Sequence, residues 1–248
     1  MILLVDIGNS RIKYMQQDNN GLSDYRGDIY EKSDLAGSLD CLWGQLPVPE
    51  QVWIANVAGS EIADQITGWV ENNWHTRPEF AAVTKSALGV INAYTEVSRL
   101  GIDRWLAIIA AWNKYASPAC VVSCGTAVTI DGLNNHGQHL GGLIMPGIAM
   151  MQRSLSKTTA AIPYIKDMKV TSGLACNTEQ AVVTGCTISV VSLIEHVMQD
   201  IQRECAGEIK CLITGGDSEK IMPLLTGNIA YEPYLVLEGL ALLAGNNL

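Results

Sequence analysis

The sequence predicts an α/β chain of two similar lobes, each a mixed sheet with flanking helices, and a cleft between them. Three observations predict it. The chain opens on an apolar strand, Ile2-Leu3-Leu4-Val5, that ends in Asp6 and a Gly8-Asn9 turn, and the run Ala119 to Cys124 ends likewise in a Gly125-Thr126 turn. Each half then repeats strand, glycine turn and helix: Val52 to Val57 before Gly59-Ser60, and Ile209 to Ile213 before Gly215-Gly216. An order of motifs that occurs twice marks an internal duplication, and two like halves facing each other leave a crevice of the kind that binds small ligands.

Composition sets the outer limits. Of 248 residues, 48% are apolar, enough for a substantial core. Sixteen Lys and Arg against 25 Asp and Glu give a net charge of −9, a field that repels a nucleic-acid backbone, so no nucleic-acid partner is expected. The seven cysteines lack CxxC spacing and suggest neither zinc nor a disulfide framework; they read as small buried hydrophobes in a reducing compartment. The N-terminus lacks the basic region of a signal peptide, and the longest uncharged apolar run, Ala181 to Ile194, is too short to span a bilayer. The expectation is a soluble cytoplasmic protein without a membrane partner.

The elements follow in order. After the opening hairpin, residues 16–40 are polar, with a short strand near Ser23–Ile29, and Leu35 to Leu46 reads as a helix closed by Pro47 and Pro49. The strand at Val52 leads to a helix from Glu61 that Ser60 is placed to cap. Phe80 to Val83 reads as a strand, and Leu88 to Val97, with Asn92 and Tyr94, as loop or partial helix. The apolar helix Trp105 to Tyr115 is broken at Ser117-Pro118, which places the lobes at residues 1–117 and 118–248. In the second lobe, Leu140 to Gly147 is a strand and turn before a helix from Ile148 to Lys157. A long helix within Thr178 to Cys205 is apolar nearly all round its first four turns, so it is buried in a core or against another subunit. Tyr234 to Gly245 reads as a final amphipathic helix.

Several residues could carry chemistry. The stretch Asp6-Ile7-Gly8-Asn9-Ser10-Arg11-Ile12-Lys13 is an ordinary hairpin or a phosphate cradle. In the second reading the turn tolerates positive φ at Gly8 and Asn9, its N–H groups face the anion, Lys13 adds charge, and Asp6 holds the metal that accompanies ATP. Thr126 offers a hydroxyl and an amide that suit a phosphate, and the glycines of Thr214-Gly215-Gly216-Asp217 allow close approach by a base or ribose; both could equally be simple turns. Asp103, at the head of a helix, is an N-cap or a general base, and Arg104 clamps a substrate carboxylate or pairs with a surface acid. His136 and His139 lie by a hairpin tip without a metal-ligand cluster and read as solvated loop; the six tryptophans sit singly and read as core.

Together these motifs resemble type III pantothenate kinase, in the actin/hexokinase/heat-shock ATPase superfamily of paired ribonuclease-H-like lobes. The most specific elements are Gly101-Ile102-Asp103-Arg104 with Tyr94 ahead of them, and Gly141-Gly142 followed by Pro146-Gly147. The resemblance implies ATP-dependent phosphorylation of the 4′-hydroxyl of pantothenate, the first step of coenzyme A synthesis. It implies that Asp6 to Lys13 wraps the ATP phosphates, that Asp6 helps place Mg2+, and that Thr126 contacts the nucleotide from the other lobe. Tyr94, Gly101, Ile102, Asp103 and Arg104 would bind pantothenate, with Asp103 as proton acceptor, and Thr178 would reach it across a homodimer interface. One position departs from the pattern: the family usually has Asp where this chain has Ser123, and that Asp ligates a monovalent cation, K+ or NH4+. A neutral hydroxyl is a weaker ligand, so weak or absent K+ dependence is expected. Two rival readings are a nucleotide-binding regulator or accessory factor of the same fold, which the Asp103-Arg104 pair argues against, and a kinase for a sugar, against which the short acceptor domain argues.

Overall fold

A computed structural model describes residues 1–18, 21–23, 25–165, 168, 170, 173–205 and 207–246. The chain divides into two compact units, Met1–Lys114 with Tyr234–Leu248, and Tyr115–Pro233.

In unit 1, β1 (Ile2–Ile7) turns back as β2 (Arg11–Asp18), on which the short β3 (Gly21–Leu22) and β4 (Arg26–Ile29) pair. The expected strand near Ser23–Ile29 is thus β4, with Asp24 outside the described residues. Then come α1 (Leu35–Trp43), β5 (Gln51–Asn56), α2 (Ser60–Trp74), β6 (Glu79–Phe80), the hairpin β7 (Ser86–Ala87) and β8 (Val90–Ile91), and α3 (Ile102–Tyr115). The sheet runs β3-β2-β1-β5-β6, with β1 antiparallel to β2 and parallel to β5. Alternation along β1 decides the layers. Leu3, Val5 and Ile7 join Trp43, Ile66, Trp69 and Trp74 in a core beneath α1 and α2, whereas Leu4 and Asp6 face the opposite side. The three tryptophans, expected singly, stack or meet edge-on with centroids 5.0–5.7 Å apart.

Unit 2 repeats the plan with β9 (Ala119–Cys124), β10 (Ala127–Leu133), β11 (His139–Pro146), α4 (Ile148–Thr158), α5 (Thr178–Cys205), β12 (Lys210–Thr214), α6 (Ser218–Ile221) and β13 (Ile229–Tyr231). Its sheet runs β11-β10-β9-β12-β13, with β9 antiparallel to β10 and parallel to β12, so strand order and strand senses match those of unit 1. Helix α5 lays Val183, Val190 and Ile194 on Cys120, Val122 and Ile130. The chain then returns to unit 1, where α7 (Leu235–Asn246) packs on β1, β2 and β5. Gly239 lets it cross α3 closely: a Cβ there would stand 2.1 Å from the Leu106 carbonyl oxygen.

Several expectations change. The division falls at Lys114/Tyr115 rather than after residue 117, and the segment from Tyr234 belongs with unit 1, because the apolar face of α7 is built to cover β1 and β5. Ser60 is the first helical residue of α2 and Gly59, at φ 105°, is its cap, a conformation that excludes Ser. The run Ala181 to Ile194 lies inside a helix of 28 residues, long and apolar enough by length and composition to cross a membrane. Half of its most apolar window is nevertheless buried within the protein, as the core helix of a folded unit would be.

Candidate active site

In unit 1 the site grows from the β1–β2 hairpin. Asp6 and Lys13 are cross-strand partners, and Lys13 Nζ donates to Asp6 Oδ2 at 3.2 Å. Asp6 is 5% exposed, so burial pushes its pKa up while the Lys13 charge pulls it down, and burial prevails. Lys13 is shifted the opposite way to the usual buried lysine: desolvation would lower its pKa, but the Asp6 charge, with Asp103 contributing, holds it above the ordinary value. The ammonium therefore stays charged, and the Asp103 carboxylate belongs to the same electrostatic neighbourhood. Tyr25 reaches that neighbourhood too and stacks on Tyr234, centroids 5.1 Å apart.

The turn itself differs from expectation. Neither Gly8 nor Asn9 has positive φ; the hairpin closes through Gly8 N–H to the Arg11 carbonyl at 3.0 Å. Asn9, Ser10 and Arg11 are exposed, while Ile7 and Ile12 anchor the strand ends in the core.

Asp103 sits in the first turn of α3, one residue inside Ile102, and is not the N-cap: the first helical bond runs from Trp105 N–H to the Gly101 carbonyl. Its Oδ1 accepts Arg104 N–H at 2.8 Å, and the helix dipole favours negative charge there. Gly101 makes room for that carboxylate, since a Cβ would meet Oδ1 at 2.6 Å. Arg104 is buried, donates Nη1–H to the Tyr94 hydroxyl at 3.0 Å and lies over its ring at 5.6 Å. Buried Asn92 was missed as a site residue. Its Oδ1 accepts Tyr94 N–H at 2.9 Å and its carbonyl accepts Lys85 Nζ at 2.8 Å, so it shapes the loop that presents Tyr94. An Asn two residues ahead of a candidate ligand is the signal that could have found it.

In unit 2 three glycine turns meet. Gly147 N–H donates to the Thr126 carbonyl at 2.9 Å, and a Cβ on Gly147 would stand 2.2 Å from the Gly125 carbonyl oxygen. Gly215, at φ 101°, lies equally close to Cys124, whose carbonyl accepts Asp217 N–H at 3.0 Å. Thr126 is exposed at the tip of this cluster. Ser123 is paired in register with Thr129 on one side and Thr214 on the other, which puts three hydroxyl residues abreast on one face. Burial pushes the Cys124 thiol up to about 12, so that thiol is inert at neutral pH. His139 overturns the solvated-loop expectation: it is fully buried on β11 with Nε2 2.9 Å from Asp131 Oδ1, and only His136 occupies the exposed tip. Thr178 opens α5, capped by Asn177 Oδ1, and borders a groove of about 830 Å³ between α4 and α5.

These positions can be set beside known proteins. A type III pantothenate kinase family model matches residues 2–200. The chain belongs to the type III pantothenate kinase family. The family member of Nitrosococcus oceani is 40% identical over 249 residues, covering 98% of this chain and 94% of that protein. Among solved structures, one assigned to the Baf family of transcriptional activators, from Campylobacter jejuni, matches at TM-score 0.64 and 24% identity over 99% of this chain and all of that one. The activator of 2-hydroxyisocaproyl-CoA dehydratase from Clostridium difficile, with ADPNP bound, matches at TM-score 0.56 and 12% identity over 99% of this chain and 94% of that one. At such identities these structures speak to the fold alone, an α/β fold of two units. In this kinase Asp6, Lys13, Asp103, Arg104 and Tyr94 therefore lie in unit 1, and Ser123, Thr126 and Thr178 in unit 2. Membership of this kinase family implies ATP with a divalent metal.

Proposed function

We propose that this kinase moves the terminal phosphoryl group of ATP to the 4′-hydroxyl of pantothenate, with Asp103 accepting the hydroxyl proton. The observation that carries the assignment is the Asp6–Lys13 pair at 3.2 Å on the β1–β2 hairpin of a chain in the type III pantothenate kinase family, with Asp103 on the same unit. A loose phosphoryl-transfer transition state asks chiefly for positioning and charge neutralisation, and Lys13, held protonated, supplies a cation to the phosphate chain. The Asp6 to Lys13 hairpin wraps the phosphates, with exposed Asn9, Ser10 and Arg11 at its tip and Ile7 and Ile12 fixing its base. Arg104, braced on Tyr94, takes the pantothenate carboxylate in a bidentate fork; Gly101 and Ile102 line the approach to Asp103. Thr126 contacts the nucleotide from unit 2.

The donor set fits Mg2+. Asp6 is a hard oxygen ligand whose burial calls for positive charge beyond Lys13, and among the described residues no group of three His, Cys, Asp or Glu forms a site for a resident ion. Asp6 would hold the metal through water, given the Lys13 bond it already makes, and Mg2+ neutralises phosphate charge when bound. Ser123 with Thr129 and Thr214 offers neutral oxygens for a monovalent cation, so activity depends weakly on K+ or not at all. A K+ titration in a Tris or Na+ background checks this, and strong activation refutes it.

The exposed stripe Thr178, Ala181, Gly185 and Ser189 on α5, beside exposed Met150 on α4, suits close packing against a second copy and supports a homodimer that brings Thr178 to pantothenate. The enzyme works in the cytoplasm. Pantothenate-dependent ADP release by the purified protein tests the whole reading, with Asp103→Asn expected to lower kcat by about 10²–10⁴. Release unchanged by pantothenate would favour a nucleotide-binding regulator instead.

A further inference from the structure

Strand β4 is an exposed edge: all four of its residues face solvent, and it lays down almost no core. Its neighbours are nevertheless tied to the hairpin at named atoms. Tyr30, directly after β4, is buried in the core beneath α1 and α2, and its hydroxyl donates to the Gly8 carbonyl at 2.9 Å. Burial pushes the Tyr30 phenol up, which favours the protonated form that donates this bond. Within β4, Gly27 stands opposite Lys13 in the register. A Cβ on Gly27 would lie 2.8 Å from the Ile12 carbonyl oxygen, 3.0 Å from Lys13 Cα and 3.2 Å from Lys13 Cγ.

Two consequences follow from geometry. A trans peptide is planar, with its C=O and N–H pointing in opposite directions. Drawing the Gly8 carbonyl toward the buried Tyr30 hydroxyl therefore turns the Asn9 N–H the other way, at a residue that is exposed. Because Gly27 has no side chain, the Lys13 stem can lie close against β4, where a Cβ would crowd its Cγ, and carry Nζ to Asp6.

We infer that Tyr30 and Gly27 are positioning residues of the phosphate hairpin: Tyr30 aims the Asn9 amide at the nucleotide phosphates, and Gly27 seats Lys13 beside them. This rests on the reading of Asp6 to Lys13 as the ATP phosphate cradle. Neither residue touches the reacting atoms; each acts through one that does.

The test is steady-state kinetics of Tyr30→Phe and Gly27→Ala, with Lys13→Ala as reference, and melting temperatures for all. Tyr30→Phe keeps the ring and removes one hydrogen bond, so KM for ATP should rise roughly three- to tenfold, the size of one such bond. Its KM for pantothenate and its kcat should stay within about twofold. Gly27→Ala should raise KM for ATP at least as much, because the two nearest obstructing atoms, the Ile12 carbonyl oxygen and Lys13 Cα, are backbone. If Lys13→Ala raises KM for ATP while both positioning variants match wild type, the inference is overturned and the cradle stands. If Lys13→Ala also matches wild type, the cradle reading fails and takes the inference with it. A rise in both KM values that tracks a lower melting temperature would also overturn it, since that is the mark of a merely structural role.

Discussion

A carboxylate buried as deeply as Asp6 needs a counter-charge, and Lys13 supplies it across one rung of the hairpin. The pair has a defined pH signature. Asp6 binds its proton more tightly folded than unfolded, so its contribution to stability falls as pH rises from its unfolded pKa, about 3.9, through its raised folded value. Lys13→Met removes the influence that restrains that rise. The variant should therefore lose little stability at acid pH and progressively more toward neutrality, read as melting temperature against pH. In the same variant the acid limb of the pH–rate profile should move upward. Lys13 itself is raised, so its contribution is present below about 10.5 and lost as pH climbs through its folded value. Asp6 and Lys13 were both readable in the sequence, seven residues apart around a turn. Their ion pair was not, because cross-strand register is set by the turn closure at Gly8 and Arg11.

At the scale of elements, glycine turns decide how closely strands and helices meet. Gly215 combines φ 101° with a Cβ position 2.3 Å from the Cys124 carbonyl oxygen, so backbone would have to move to admit any side chain. Gly215→Ala should cost about 1–3 kcal/mol or more, lower the melting temperature by several degrees and raise KM for ATP, by disturbing the Cys124 to Thr126 turn that Asp217 N–H helps fix. The β7–β8 hairpin stores a similar constraint: Leu88 and Gly89 both have positive φ, and the Leu88 carbonyl is held by Asn113 of α3 at 3.0 Å. Strand and helix periods made β1, β5, β9 and β12 legible, since apolar runs ending in glycine turns have few other uses. Cap identities were less legible: Ser60 and Asp103 both have the chemistry of an N-cap, yet Gly59 and Gly101 begin the helices, Gly59 because the chain enters at φ 105° and Gly101 because the Asp103 carboxylate folds back over it.

At the scale of the whole molecule, the two sheets share one strand order, and the homodimer proposed here rests on the face of α5 that neither sheet uses. Gly185→Arg on that exposed stripe should convert a dimer to monomer in sedimentation velocity and raise KM for pantothenate, while leaving the unit 2 core, and so the far-UV circular dichroism, unchanged. A variant that stays dimeric with full activity would remove α5 from the interface.

The sequence by itself determined the duplicated α/β plan, the family, and most residues expected to meet ATP and pantothenate, because each is written in short motifs whose spacing is local. Tertiary structure decided what depends on contacts between distant segments. It returned the C-terminal helix to unit 1, where β1 and β5 needed cover, and it buried His139 against Asp131, eight residues away, where a solvated loop was expected. It also set Tyr30 beneath Gly8, 22 residues earlier in the chain. Burial and hydrogen-bond partnership are properties of the packed chain, and no run of neighbouring residues encodes which distant atom will fill a given space.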